Sequence, residues 1–351
     1  MRVMKRRLIR FIEERADIGP LRNWIRQKTV PQHKYTVWYY FGGLALFLVV
    51  VQIVTGILLA FYYSPTPSSA NESVRFIMEK VNYGWLIRSI HFWNANFLIA
   101  VVLVHMFSTY FTKAYRKPRE AMWIIGALTL ALILAFAFTG YLLPWTTLSY
   151  FATKIGVNTP RVLPIIGGYL SRVLMGGSDV GAATLHRMFT LHTVVLPLLT
   201  LTLIVLHVFL GQVFGSSVPI SQSNYDRHTR FFPDHLLKDA AVWTVGLAVL
   251  LTFATVFPAN LGSKVNPLQP APAGTKPMWY FLFMYQSLRM YSRAVAMGSI
   301  TLGALVWLAI PILDRKSAKG EKSTLFTLFG IAVLVYLIAM TVFGDISMKI
   351  H

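Results

Sequence analysis

Residues 89–112 read Ser-Ile-His-Phe-Trp-Asn-Ala-Asn-Phe-Leu-Ile-Ala-Val-Val-Leu-Val-His-Met-Phe-Ser-Thr-Tyr-Phe-Thr, without a single Lys, Arg, Asp or Glu. As a helix rising about 1.5 Å per residue, this run crosses a hydrocarbon core of about 30 Å. It carries His91 and His105, 14 residues apart. Ionisable side chains inside such a run are rare and usually functional. At about 100° per residue, 14 steps return to within about 40° of the start, so both imidazoles share one face, roughly 21 Å apart along the axis. A second charge-free run, 190–214, carries His192 and His207, 15 residues apart, which is a net turn of about 60° and a rise of roughly 22 Å.

Seven such runs are present: 36–63, 89–112, 121–143, 190–214, 240–258, 294–313 and 323–344. None alternates like a barrel strand, so the expected fold is an all-α integral membrane protein of seven transmembrane helices. A further apolar patch at 277–288 is too short to span and reads as interfacial or re-entrant. One span separates the two histidine-bearing runs, so they cross the membrane in the same direction. His91 then lies level with His192, and His105 with His207. Two stacked cross-helix imidazole pairs suit two b-type haems, each iron six-coordinate. With no open position at the metal, outer-sphere electron transfer is favoured.

The glycines keep step. Gly42 and Gly56 in the first span, and Gly126 and Gly140 in the third, are each 14 apart. A porphyrin wedged into a bundle needs backbone without side chains at its edge; ordinary small-residue helix packing also uses glycine. Arg88 and Arg187 precede His91 and His192 at one rim, where haem propionates would emerge and guanidinium would pair with them. Snorkelling interfacial arginines are the alternative.

Composition agrees. Of 351 residues 55% are hydrophobic and only 13% charged, which excludes disorder, a coiled coil and an ordinary soluble enzyme. With no Cys there is no disulfide, iron–sulfur cluster or thioether-linked haem, so metal chemistry rests mainly on the 9 His. No cleavable signal peptide is visible. The net charge of +20 sits in the gaps between apolar runs rather than in one patch, which argues against nucleic acid. Of 33 Lys and Arg, 21 lie on the side of the N-terminus and 12 on the other. The positive-inside rule then places the N-terminus in the cytoplasm and the C-terminus outside. Residues 1–34 form a basic preface in which 4–15 suits an amphipathic helix on an anionic lipid surface, or a solvated basic arm. The four-helix di-haem part then covers 35–215, and a three-helix part with a pocket loop covers 216–351.

Several stretches carry a resemblance: Phe11-Ile-Glu-Glu-Arg15, Asn82-Tyr-Gly-Trp-Leu-Ile-Arg-Ser-Ile-His91, Lys117-Pro-Arg-Glu120, Gly140-Tyr-Leu-Leu-Pro-Trp145 and Leu191-His-Thr-Val-Val-Leu-Pro-Leu-Leu-Thr200. With the 15-residue histidine gap, they resemble the cytochrome b family of quinol-oxidising cytochrome bc complexes, closest to the cytochrome b6 branch. From Phe231-Phe-Pro-Asp-His-Leu-Leu-Lys238 onward the chain resembles subunit IV, fused here into one polypeptide. The resemblance implies that His91 and His192 hold an outer, low-potential haem iron, and His105 and His207 an inner, high-potential one. It implies an outer quinol pocket involving Tyr141, Pro144, Trp145, Ala152 within 151–154, Pro277, Met278, Trp279 and Tyr280, with 160–174 and 276–288 as helical lids. It also implies a Rieske iron–sulfur protein and a c-type cytochrome as partners, a homodimeric complex and a bacterial cytoplasmic membrane.

Three positions depart from the family pattern. Pro277-Met-Trp-Tyr280 stands where Pro-Glu-Trp-Tyr is usual, so the carboxylate that would take a quinol proton is missing. Tyr40 occupies the position of the cysteine that binds a further covalent haem in the b6 branch, and Gln212 and Val213 that of an Arg-Lys pair beside the last ligand. The expected function is quinol oxidation at the outer face, with one electron leaving to an outer acceptor and the other crossing through both haems, coupled to proton translocation. The Met278 departure keeps open a di-haem electron conduit or anchor for another redox partner. His186 is a candidate substitute proton acceptor, while His33, His228, His235 and His351 are assigned no chemistry.

Overall fold

The computed structural model describes residues 27–222 and 227–347, together with 7, 11, 14, 15, 19 and 23. Most of the segment 4–15, read as a surface-lying helix, falls outside the described residues. Seven helices among the described residues are long and apolar enough to span a membrane, each centred on one of the seven runs. They are α1 (Tyr40–Ala60), α3 (Gly84–Phe111), α4 (Glu120–Leu142), the continuous pair α7 (Ala182–Thr190) and α8 (Leu196–Phe214), α9 (Leu236–Val256), α11 (Arg293–Leu313) and α13 (Thr324–Ile346). Shorter helices lie between them: α2 (Ala70–Lys80), α5 (Thr147–Asn158), α6 (Gly167–Met175), α10 (Trp279–Met290) and α12 (Arg315–Ala318).

The spans are apolar on every side, as expected where one face meets lipid and the other a bundle core. Leu198, Val205 and Phe209 of α8, and Leu325, Val335 and Ile338 of α13, face outward. Inside, Leu48, Leu98, Ile99, Ile133 and Leu250 form one buried cluster, and Tyr110, Tyr115, Trp123, Trp307 and Ile310 form another. Helix α1 packs along α3 and α4 along α8, while α9 lies against both α1 and α3. Helix α10 packs on α11 and α13, while α11 reaches α4 and α13 reaches α3.

The corners are set locally. Before α3, Tyr83 takes a left-handed conformation (φ 59°). A Cβ on the following Gly84 would stand 1.9 Å from the Ile77 carbonyl oxygen, so only glycine allows that turn. Helix α5 opens on a capping box in which the Thr146 side chain accepts from the Ser149 amide. A two-stranded antiparallel ribbon, β1 (Thr29–Pro31) with β2 (His228–Arg230), pairs Val30 with Thr229 and ties the approach to α1 to the approach to α9.

Candidate functional site

Helices α3 and α8, with the turn that leads into α8, bring four imidazoles together in two pairs. The ring centroids of His91 and His192 are 6.4 Å apart at 70°, and those of His105 and His207 are 6.4 Å apart at 81°. The mismatch between 14 and 15 residues has a structural cause. Between α7 and α8, Leu191–Val195 forms a π-helical turn. The Leu196 amide donates to the Leu191 carbonyl, five residues back. Pro197 follows, and has no amide to continue the α-helical ladder. A π turn holds one residue more than an α turn. Fifteen residues on this helix therefore keep the phase of fourteen on α3.

The ring nitrogens are ordered by their neighbours. His207 Nδ1 lies 3.0 Å from the Met122 carbonyl, and His192 Nδ1 3.1 Å from the Phe136 carbonyl. A carbonyl only accepts, so each Nδ1 donates its proton and the lone pair sits on Nε2. His91 Nδ1 is 2.9 Å from Thr55 Oγ1, and His192 Nδ1 is also 3.2 Å from Thr139 Oγ1. Gln52 Nε2 stands 3.1 Å from His91 Nε2, an amide donor facing that lone pair.

Each repeated glycine faces one imidazole. A Cβ at Gly42 would lie 3.1 Å from His105 Cε1, at Gly56 3.2 Å from His91 Cε1, at Gly126 3.0 Å from His207 Cε1 and at Gly140 2.5 Å from His192 Cε1. The nearest atoms in each gap are therefore histidine ring atoms, so the glycines let α1 and α4 close over the imidazoles.

This donor set fits haem. Among the described residues no group of three or more His, Cys, Asp or Glu could hold a metal ion. Two facing imidazoles suit an iron that brings four equatorial nitrogens of its own. At metal–nitrogen distances of about 2.0–2.1 Å, ring centroids 6.4 Å apart would leave room for one metal between the two Nε2 atoms of each pair.

At the His91–His192 end the two arginines are engaged. Arg88 donates to the carbonyls of Ala259 and Asn260, the latter at 3.1 Å, and Arg187 donates to that of Val173. They anchor the loop that follows α9 and the last turn of α6. A guanidinium has five N–H donors, so further donors remain on each.

Of the eight expected pocket residues, four line one cavity: Tyr141, Ala152, Pro277 and Met278, joined by Phe138, Thr153 and Lys276. Its volume is ≈ 50 Å³, small against the several hundred Å³ of a typical ligand pocket. The other four face elsewhere. Trp145 is buried edge-on against Tyr150, and the Pro144 carbonyl accepts from Asn71. Trp279 and Tyr280 line a larger apolar cleft of ≈ 1610 Å³ between α3, α4, α11 and α13, where Trp279 Nε1 also donates to Asn96 at 2.9 Å. His186 is exposed on α7 and is not among the residues that line this cavity. Lys276 on that wall pairs instead with Asp345 near the end of α13. Nearby, Lys154 and Asp179 pair at 2.5 Å, which raises the Lys154 ammonium and lowers the Asp179 carboxyl from their ordinary values.

A second group escaped the sequence reading. His235 and Asp239, placed there in a loop, belong to the first turns of the fifth span, with His235 Nε2 3.6 Å from Asp239 Oδ2. Tyr40 stacks on His235 at 5.0 Å, and a Cβ at Gly43 would come 2.8 Å from Asp239 Oδ1, which has no hydrogen-bond partner. The signal available was the four-residue spacing of His235 and Asp239 just before the apolar run.

Two family models match the chain: "Cytochrome b/b6/petB" over residues 25–215 and "Cytochrome b(C-terminal)/b6/petD" over residues 264–350. A cytochrome bc complex cytochrome b subunit of Chlorobaculum thiosulfatiphilum is 45% identical over 347 residues, covering 96% of this chain and 81% of that one. Cytochrome b6 of Gracilaria tenuistipitata var. liui is 40% identical over 210 residues, 60% of this chain and 97% of that one. Among solved structures, a chain of "Hyperthermophilic respiratory Complex III" superposes with a TM-score of 0.87 at 31% identity, covering 96% of this chain and 91% of that chain.

Proposed function

The chain belongs to the cytochrome b family, as the cytochrome b subunit of a bc-type complex, and from that premise we propose that it oxidises quinol at one face and carries electrons across the membrane between two haem sites. The observation that carries this reading is the geometry of the imidazole pairs, both 6.4 Å between centroids. Bound there, haem supplies one-electron ferric–ferrous chemistry. His91 with His192, and His105 with His207, present Nε2 lone pairs from both sides, roughly 21 Å apart along α3. The glycines at 42, 56, 126 and 140 let the flanking helices close on the rings, and Arg88 and Arg187 offer donors to propionates at the outer rim.

The basic preface and loops support a cytoplasmic N-terminus with the His91–His192 end outside, in what we take to be a bacterial inner membrane. Quinol then binds between Tyr141, Ala152, Pro277 and Met278, with α5 or α10 moving aside to admit the ring. Met278 takes no proton. Lys276 on the cavity wall, with its partner Asp345 behind it and both partly open to solvent, is the group we assign to proton release. Tyr40, His235 and Asp239 lie at the opposite end, beside Gly42 and Gly43, where quinone reduction takes up protons. A Rieske protein and a c-type cytochrome fit as outer acceptors in a homodimeric complex. The small cavity and Met278 favour a second reading: an electron conduit to another redox partner, without quinol oxidation. Potentiometric titration of the purified complex, with quinol turnover measured with and without an outer-site inhibitor, separates them. Two b-type haems with inhibitor-sensitive turnover support the first reading, two haems without turnover the conduit, and a complex lacking b-type haem overturns both.

A further inference from the structure

The two imidazole pairs differ in what meets their Nδ1 protons. In the His91–His192 pair, Thr55 Oγ1 lies 2.9 Å from His91 Nδ1, and Thr139 Oγ1 lies 3.2 Å from His192 Nδ1 in addition to the Phe136 carbonyl at 3.1 Å. Both threonines are buried. Each hydroxyl hydrogen is already used within its helix, Thr55 donating to the Val51 carbonyl at 2.8 Å and Thr139 to the Ala135 carbonyl at 2.9 Å. An oxygen so engaged turns a lone pair to the imidazole and accepts from it. Such back-bonding is common here, as Thr202, Thr244 and Thr252 show; an imidazole on the other side of the oxygen is the feature Thr55 and Thr139 share. In the His105–His207 pair, only His207 Nδ1 has an acceptor, the Met122 carbonyl, and His105 Nδ1 is buried without a partner. The register explains the difference. Thr55 and Thr139 directly precede Gly56 and Gly140, and the equivalent positions before Gly42 and Gly126 are Phe41 and Ile125.

We infer that Thr55 and Thr139 are positioning residues that lower the reduction potential of the haem held by His91 and His192 relative to the haem held by His105 and His207. The inference rests on the two-haem reading above. An Nδ1–H that donates to an oxygen pushes electron density toward Nε2 and makes the ring a stronger ligand. A stronger donor stabilises ferric iron more than ferrous iron, and second-shell hydrogen bonding of this kind tunes potentials. Reduction adds one electron to the iron and leaves the Nδ1 proton on the ring, so the hydrogen bonds bias the equilibrium without a proton transfer. Electrons entering at the His91–His192 end then run downhill to the other pair.

The test is a potentiometric titration of the intact complex carrying Thr55→Val and Thr139→Val together, with haem content measured alongside. Valine keeps the shape and removes the two hydroxyl acceptors, leaving His192 Nδ1 the Phe136 carbonyl alone. The expected result is two haems per chain and a tenfold or greater shift of the His91–His192 couple toward ferrous, which is about 59 mV upward for one electron. The His105–His207 couple stays in place, and Thr55→Ser with Thr139→Ser restores the original value. The converse variant, Phe41→Thr, supplies the missing acceptor to His105 and lowers that couple; it decides the question if the valine variant loses its haem. Two retained haems with unmoved midpoints in the valine variant, or an unmoved His105–His207 midpoint in Phe41→Thr, overturn the inference and leave the two-haem reading intact. Absence of b-type haem from the unsubstituted complex overturns both.

Discussion

A methyl group at Gly140 would strike His192 itself. Its Cβ would stand 2.5 Å from Cε1, 3.0 Å from Nδ1 and 3.2 Å from Nε2, where ordinary contact begins near 3.4 Å. The ring must therefore retreat by about 0.9 Å. Metal–ligand bonds tolerate about 0.2 Å, so Gly140→Ala detaches His192 from iron or forces α4 away from α8. Overpacking of a filled core costs about 1–3 kcal/mol. The same change at Gly56 meets His91 Cε1 at 3.2 Å and asks for only about 0.2 Å. The expected series is loss of one haem per chain in Gly140→Ala and retention of both in Gly56→Ala, with Gly126→Ala and Gly42→Ala between them. Haem per chain from the reduced-minus-oxidised spectrum, with the midpoint of the surviving couple, reads this directly. Full haem content with unchanged midpoints in Gly140→Ala would refute the claim that these glycines exist to clear the imidazoles.

Further outcomes follow from the pocket. Asp345→Asn leaves Lys276 without its carboxylate and is expected to slow quinol oxidation by about 10²-fold or more, with haem content and midpoints unchanged; wild-type turnover would remove Asp345 from proton release. The Lys154–Asp179 pair ties α5 to the approach to α7. Its Asp179 carboxyl is held below the ordinary value by the hydrogen bond from Lys154, so this contribution is present above about pH 3.9 and lost as pH falls through the lowered value. The Lys154 ammonium is raised by the same bond, so its share is fully present below about pH 10.4 and lost as pH rises through the raised value. Both groups are well exposed, so Asp179→Asn should cost no more than about 1 kcal/mol between those limits, and less in high salt; thermal unfolding at two salt concentrations checks it.

The spans were legible because lipid imposes one crude requirement, a long charge-free run, and all seven runs meet it. The level of the histidines was legible for a similar reason: helical rise and rotation are fixed, so spacing alone sets height and face. What spacing cannot say is which atoms fill a gap opposite a glycine. The 14-residue repeat was visible at Gly42, Gly56, Gly126 and Gly140, but the imidazole Cε1 atoms nearest each of them appear only once the four helices are assembled. The pocket was half legible. Tyr141, Ala152, Pro277 and Met278 converge, while Trp145 and Tyr280 point away, because each short motif, 140–145 and 277–280, spreads its side chains over opposite faces of a turning chain. Asp239 was missed because a span boundary drawn by hydropathy stops at the first charge, whereas α9 begins three residues earlier and carries that carboxylate into its first turn.

The π turn at Leu191–Val195 tests the assembly as a whole. On α3 the histidines are 14 residues apart, on the α7–α8 helix 15, yet the two centroid distances are equal. If the extra residue is held entirely in the π turn, removing it should restore a continuous α-helix without moving His192 relative to His207. Val194 faces outward and is the residue to delete, together with Pro197→Leu to return the missing amide. The shortened helix then has the 14-residue spacing of α3 and should keep both haems. Deleting Ala100 from α3, which has no π turn to absorb the loss, rotates His91 about 100° from His105 and should cost a haem. Equal haem loss in the two deletions would mean that the π turn itself orients His192, and that the 15-residue spacing is a requirement of the site rather than an insertion the helix has absorbed.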